Sequence, residues 1–411
     1  MGFFEIIALL LTVAAFFSFL NYRFVKLPTT IGLMVIGLIT SLVLVVIGRF
    51  LPQVNDWAIF FLQNIRLDQT LLHGMLSVLL FAGALHVNIN DLRSQYRIIG
   101  LLATAGVVVS TFLVGAASWL MFDRLGFDIP FLYCLIFGAL ISPTDPVAVL
   151  GILKSAGAPK SLESKIVGES LFNDGVGVAF FLVLLSIAAS GEGVTVGKVG
   201  VIFIEETGGG ALLGLVSGMF AYWLLKQVDN YQVEVLITLA LATGGYALAE
   251  ALHFSAPIAV VVAGLLVGNR GRSLAMSVET TERLDSFWEL LDEIMNAVLF
   301  LLIGLEVLVL ELSPLKFAAA SLAVAIVLGS RLISVALPVA LLKKFRKFSP
   351  HAVKILTWGG LRGGISVALA LSLPAGEVRE ILLTVTYGVV VFSILAQGLT
   401  IGPVLKRLRQ G

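Results

Sequence analysis

GALISPTDPVAVLG, residues 138–151, stands in the middle of a run that otherwise reads as a membrane-spanning helix, and its centre holds Ser142, Pro143, Thr144, Asp145 and Pro146. Proline lacks the N–H that a helix interior needs, and its ring clashes with the preceding turn. An aspartate at the same depth would put a charge into hydrocarbon. Such an interruption is tolerated at membrane depth only where it is buried in protein or lines a water-filled cavity. The stretch therefore reads as a helix broken for a purpose, and its surroundings must supply the purpose.

Working outward, 58% of the 411 residues are hydrophobic and 13% are charged, with a mean hydropathy of +1.03. A soluble chain carries about 25% charged residues, so this one has too little polar surface to face water on all sides. Apolar runs long enough to cross a ~30 Å hydrocarbon core as a helix recur along its whole length. Thirteen are counted: 3–22, 28–48, 69–89, 98–121, 130–152, 165–189, 199–225, 233–252, 256–269, 287–310, 315–342, 352–373 and 380–405. None alternates as a barrel strand does. The first has no basic n-region and no small-residue cleavage site, and so reads as a retained helix. The fold class is all-α and polytopic.

Loops after odd-numbered runs, together with the C-terminal tail, hold nineteen lysines and arginines against six on the other side; the remaining two, Arg331 and Arg362, lie within runs. This bias predicts a cell-membrane protein with its N-terminus outside and its C-terminus in the cytoplasm. The basic residues of the 343–354 loop are read as holding the inner leaflet. A single cysteine, Cys134, excludes an internal disulfide and a cysteine-based metal cluster, and the four histidines show no metal-ligand spacing. No cofactor and no nucleic-acid partner is called for. The polar segment 270–286 is too short to fold alone, so the chain reads as one membrane domain, residues 1–411, without a soluble regulatory domain.

An odd number of runs leaves room for two inverted six-helix repeats, runs 1–6 and 8–13, with run 7 linking them. The fifth run of the first repeat is the broken PTDP helix. Its counterpart is run 12, TWGGLRGGISVALALSLP, where Gly359, Gly360, Gly363 and Gly364 flank Arg362 and weaken the helix at mid-membrane. Interrupted helices at matching places in two halves point to a transporter's substrate site.

Run 6 begins KIVGESLFNDGVGVAFFLVLL. Glu169 and Asn173 stack one turn apart, as do Ser170 and Asp174, giving one polar edge on an apolar helix. Glu169 has a partner available in the lone Arg331 of LGSRLISVALP, so a structural ion pair is its reading. Asp174 has no spare base except Arg362 and is read as functional. Arg362 either pairs with Asp145 or stands in for a cation between the two broken helices; the second is favoured. Asp145 is either a cap on the second half-helix or, with Thr144 and the carbonyls released by Pro143 and Pro146, an oxygen ligand for a hard cation. Glu250 and Glu306 fall near the outer ends of their runs, close to water.

SPTDPVAV, GESLFNDGVGV, the lone Arg331 and WGGLRGG, in that order, resemble the cation:proton antiporters of the NhaP and NHE type, as do ALAEALHFSAPIAVVVAGLLVGN and FLLIGLE. The resemblance covers essentially the whole chain. It implies the antiporter fold of thirteen helices, a homodimer and an elevator-like movement of a six-helix core. It also implies that cation and proton compete at Asp174, that Ser170, Asp145 and Thr144 (through its main-chain oxygen) are further ligands of the transported Na⁺, and that Glu169, Asn173 and Arg331 clamp run 6 to run 11. Relatives carry an acid in run 3 where this chain has Ala82 in LLFAGALHV, which leaves Na⁺ against K⁺ preference open. The expected activity is exchange of Na⁺ (and Li⁺) for H⁺ in pH and sodium homeostasis, with K⁺/H⁺ exchange as the alternative. Because Asn173 is neutral, only Asp174 changes its occupant and the exchange is expected to be 1:1 and electroneutral. A channel would need a ring of repeated ligands, and no nucleophilic or metal-binding constellation suggests an enzyme.

Overall fold

Each of the thirteen apolar runs contains a helix in the computed structural model. The structure describes residues 3–48, 50, 51, 53, 74–146, 149, 160–190, 196–311, 313–343 and 351–410. In chain order the helices are α1 (Phe3–Leu20), α2 (Thr29–Gly48), α3 (Leu76–Leu85), α4 (Ile89–Leu101, extended by Val107–Arg124), α5 (Phe131–Ile141), α6 (Lys160–Ser190), α7 (Val196–Leu225), α8 (Tyr231–Ala251), α9 (Ala256–Leu266), α10 (Val278–Leu305) and α11 (Pro314–Leu342). Helix α12 comes in two pieces, α12a (Ala352–Trp358) and α12b (Gly364–Leu371), and α13 is Glu377–Phe392, extended by Gly398–Gln410. No strand occurs among the described residues. Among the described residues, eight helices are long and apolar enough to cross a membrane by themselves.

Polar residues at the helix starts set the boundaries. Asn88, Asn230, Ser277 and Ser313 each accept a hydrogen bond from a backbone N–H in the first turn of α4, α8, α10 and α11, which satisfies donors that the helix itself leaves open. The loops then sort into two faces, as consecutive crossings require. After α3 and after α9 the chain meets itself: Asn269 Nδ2 donates to Val87 O at 2.9 Å, and Ile89 N donates to Asn269 Oδ1 at 2.8 Å. On the same face Arg283 lies over the Tyr231 ring, 4.6 Å from its centroid. On the opposite face Lys316 Nζ approaches Glu311 at 3.6 Å and Glu380 at 3.9 Å.

Helix α10 departs from its apolar run, since it starts at Val278, ahead of residue 287. Its first half is amphipathic and its second half apolar. Trp288 anchors the transition: it is fully buried, its Nε1 donates to Thr238 Oγ1 at 3.1 Å, and its ring lies 4.7 Å from that of Phe81. Farther on, α10 presses on α2 at a glycine. A Cβ on Gly304 would lie 2.7 Å from Met34 O and 3.0 Å from the Gly37 Cα. This contact corrects the expectation for Glu306: it is only 4% exposed, because α10 ends against α2 inside the protein rather than at its rim.

Gly304→Val should therefore lower the thermal unfolding temperature of the purified protein, with overpacking at a site like this costing about 1–3 kcal/mol. Gly244→Ala, where a Cβ meets nothing within 4 Å, should be neutral or slightly stabilising through helix propensity. Equal losses for the two would mean that α10 and α2 do not approach as described.

Candidate functional site

Helix α5 stops at Ser142, still helical in its own backbone, because Pro143 and Pro146 cannot supply helical N–H groups. Of the rest of that run only Val149 is described beyond Pro146; the second half-helix expected there lies outside the described residues. Helix α12 breaks between Trp358 and Gly364. The two breaks cross, and each satisfies the other's backbone. Asp145 N donates to Leu361 O at 2.8 Å. Arg362 Nη1 donates to Ser142 O at 2.6 Å and Pro143 O at 2.9 Å, the carbonyls in which α5 ends.

The Asp145 carboxyl lies against Gly363, at the N-terminus of α12b. A Cβ there would be 2.7 Å from Asp145 Cγ, so only glycine lets the carboxylate reach that helix end, where the dipole favours a negative charge. Arg362 sits correspondingly where the carbonyl end of α5 favours a positive one.

A second helix holds each break. From α6, Asn173 Nδ2 donates to Thr144 Oγ1 at 2.8 Å while its Oδ1 accepts from Thr144 N at 3.2 Å, and Ser170 Oγ lies 3.0 Å from the same Thr144 hydroxyl. The helix comes this close because Gly177 has no side chain: a Cβ would be 2.6 Å from Pro143 Cγ. From α13, Ser393 Oγ accepts from Arg362 N at 2.9 Å and donates to Gln397 Oε1 at 2.7 Å, and Gln397 Nε2 donates to Trp358 O at 3.0 Å. The Ser393–Gln397 pair was not singled out from the sequence. Its signal is two polar residues one turn apart in an apolar helix, the same signal that Ser170 and Asp174 give.

Arg331 on α11 donates Nη1 to Glu169 Oε1, and Nη2 to Leu356 O at 3.2 Å. Both members of the ion pair are buried, Arg331 6% and Glu169 1% exposed. Asn173, grouped with this pair in the sequence reading, instead spends its amide on Thr144.

Asp174 is 6% exposed and its Oδ1 has no hydrogen-bond partner. It lines, with Asp145, a cavity of about 580 Å³. The lining runs from Asp174 out to Val87, Asn88, Glu163 and Ser164, on the face that carries the loops after α3 and α9. Glu163, Glu289 and Asp292 also line it, and among the described residues no lysine or arginine does. A cleft of one charge sign with low-dielectric walls concentrates counter-ions, here cations. His86 stands at the mouth, its Nδ1 2.8 Å from Ala82 O and its Nε2 3.9 Å from Asp285. Ala82 lines the cavity without offering a ligand. Glu289, Asp292 and Asn296 on α10 were not singled out from the sequence; their 3- and 4-residue spacing places them on one face.

Comparison with known proteins agrees with this architecture. Residues 8–407 match the family model described as the sodium/hydrogen exchanger, transmembrane. The chain is 50% identical to the Na(+)/H(+) antiporter NhaP of Pseudomonas aeruginosa over 99% of its own length and 97% of the relative's. It is 35% identical to the Na(+)/H(+) antiporter NhaH of Halobacillus dabanensis, covering 94% and 93%. Among solved structures, the sodium proton antiporter MjNhaP1 of Methanocaldococcus jannaschii at pH 8 shares the fold, with a TM-score of 0.76 at 21% identity and 99% of each chain covered.

The Glu169–Arg331 pair allows a test of the architecture around the site. Glu169→Ala and Arg331→Ala should each cost about 3–5 kcal/mol, because each strands the other's charge in the interior. The double variant should cost clearly less than the sum. Additive losses in thermal stability would show that the two side chains do not interact.

Proposed function

The chain belongs to the sodium/hydrogen exchanger family, and from that premise we propose that it is a secondary antiporter exchanging Na⁺, and Li⁺, for H⁺ across the cell membrane. The observation that carries the reading is the placement of Asp174 and Asp145 together in an acidic cavity open to one face, with an oxygen of Asp174 left without a partner. An empty, ionised Asp174 would have to cross an apolar barrier at a cost of several kcal/mol. A proton or a cation removes that cost, so each ion's passage depends on the other's return. The groups around Asp174 favour a hard cation. Asp145 supplies carboxylate oxygen, Ser170 a hydroxyl, and Thr144 its main-chain oxygen, since its hydroxyl and N–H are committed to Ser170 and Asn173. Arg362 compensates the broken helices, and Glu169 with Arg331 fixes α6 to α11.

The pairing of the breaks, with α6 holding one and α13 the other, supports two inverted repeats about α7. The lysine and arginine bias supports a cytoplasmic C-terminus and hence a cavity that opens to the cytoplasm. A homodimer working in pH and sodium homeostasis completes the proposal.

Asp174→Asn keeps the shape and removes the charge, so it should insert normally and abolish Na⁺-dependent proton movement in vesicles. Asp145→Asn should exchange with a strongly raised apparent KM for Na⁺. Full transport by the first variant would remove Asp174 from the site.

Stoichiometry follows from Asn173. Its amide is neutral and bonded at both ends to Thr144, leaving Asp174 alone to change occupant, and Asp174 carries the same net charge with H⁺ as with Na⁺. A 1:1 exchanger takes nothing from the membrane potential, which would otherwise contribute about 2.3 kcal/mol per charge at 100 mV. One pH unit then balances a tenfold Na⁺ gradient, each about 1.4 kcal/mol. In proteoliposomes with the two gradients set to cancel, a K⁺/valinomycin potential should drive no net Na⁺ flux. Steady voltage-driven flux would require a second proton.

A further inference from the structure

The cavity has two walls of different composition. One is formed by the broken helix and α6, with Asp145 and Asp174; the other is formed by α3 and α10. On the second wall α3 offers only Ala82 and Gly83 beyond its aliphatic side chains and His86, whereas α10 offers Glu289, Asp292, Asn296 and Leu299, a stripe that runs from the exposed mouth into the buried interior. Glu289 is water-exposed. Asp292 is half-buried and within electrostatic reach of Asp145. Asn296, one turn deeper, is 4% exposed and lines the cavity, and its Nδ2 makes no hydrogen bond of ordinary length. The Asp292 carboxyl one turn away is within reach of that amide, so the two side chains form one polar unit on the cavity wall. Rotated by a half-turn, the same amide presents Oδ1, a neutral oxygen ligand.

We infer that Asp292 and Asn296 form a loading site for a monovalent cation on the wall opposite Asp174, occupied before the cation reaches the exchange site. Resting on the exchange reading above, this assigns to α10 a role that neither the broken helices nor α6 performs. A hydrated cation entering an apolar-sided cleft must shed its waters stepwise, and a carboxylate with an amide oxygen one turn apart replaces part of that shell. The small side chains of Ala82 and Gly83 leave the room. Because these residues line a cavity open to one face only, they should set cation affinity at that face alone.

Apparent KM for Na⁺ is to be measured in everted and right-side-out vesicles, so that each face is presented in turn. Asp292→Asn should raise KM at the cavity face by about tenfold, the scale on which a charged cleft concentrates ions, leave KM at the other face unchanged, and hold the maximal rate within about twofold. Asp292→Glu should restore the wild-type KM. Asn296→Ala should raise KM in the same one-sided way by a smaller factor, and it carries the test alone if Asp292→Asn fails to accumulate in the membrane. Unchanged KM at both faces, an equal rise at both, or a fall in maximal rate with KM intact would each overturn the loading site. The two readings separate cleanly: wild-type vesicles without Na⁺-dependent proton movement would sink the exchange reading and this inference with it, whereas normal wild-type exchange with unaltered variants would sink only the inference.

Discussion

Two helices that stop inside an apolar interior leave backbone carbonyls and N–H groups that water cannot reach, and each such group costs several kcal/mol if left alone. The rest of the structure depends on how these are satisfied. Neither break could stand without the other. Leu361 O takes the N–H of Asp145, and Arg362 fills the carbonyls of Ser142 and Pro143. Opposite charges are exchanged across the crossing, with a carboxylate at the N-terminus of α12b and a guanidinium at the C-terminus of α5. Because these bonds are directional and dry, the crossing has little freedom to slide.

That constraint propagates outward. Asn173 ties α6 to the first break, Ser393 and Gln397 tie α13 to the second, and Arg331 ties α11 both to Glu169 and to the carbonyl of Leu356 in α12a. Helices α5, α6, α11, α12 and α13 are thus joined by hydrogen bonds as one body. Across the cavity the relation is different: the facing walls of α3 and α10 are separated from Asp145 and Asp174 by open space. The two walls do meet deeper in, where Leu299 of α10 packs on Gly364 of α12b; the open space lies around the two aspartates.

Much of this was legible in the chain because membrane helices announce themselves by length and composition. The thirteen runs each contain a helix, and the proline pair and the glycines around Arg362 mark the two interruptions, since both act through the backbone of their own segment. Side-chain partnerships were legible only where the choice was narrow: Glu169 and Arg331 could be matched because one buried base stood spare. Asn173 had several possible partners and turned to Thr144, a choice set by the close approach of Gly177 to Pro143. The Ser393–Gln397 brace stayed hidden because a serine and a glutamine in an apolar helix carry no charge that must be neutralised. The acidic stripe of α10 was not legible because Glu289 and Asp292 stand near the start of the run counted from residue 287, with no residue in the sequence marked as their partner. Only the fold turns its Asp292 face toward a cavity, and helical period gives a face without naming the neighbour.

What distinguishes Asp174 among the polar groups at the crossing is the completeness with which its neighbours are bonded. The hydroxyls of Thr144 and Ser170 hold each other, both ends of the Asn173 amide hold Thr144, the Arg362 guanidinium holds two carbonyls and that of Arg331 holds a carboxylate. Each of these groups already has a partner inside the protein. Asp174 Oδ1 has none. The bonds that hold these neighbours in place leave Asp174 Oδ1, a buried carboxylate oxygen on a residue that lines the cavity, without a partner in the protein. A lone carboxylate oxygen in such a setting gains several kcal/mol from either a proton or a cation, and on that physical ground competition between the two is proposed for Asp174.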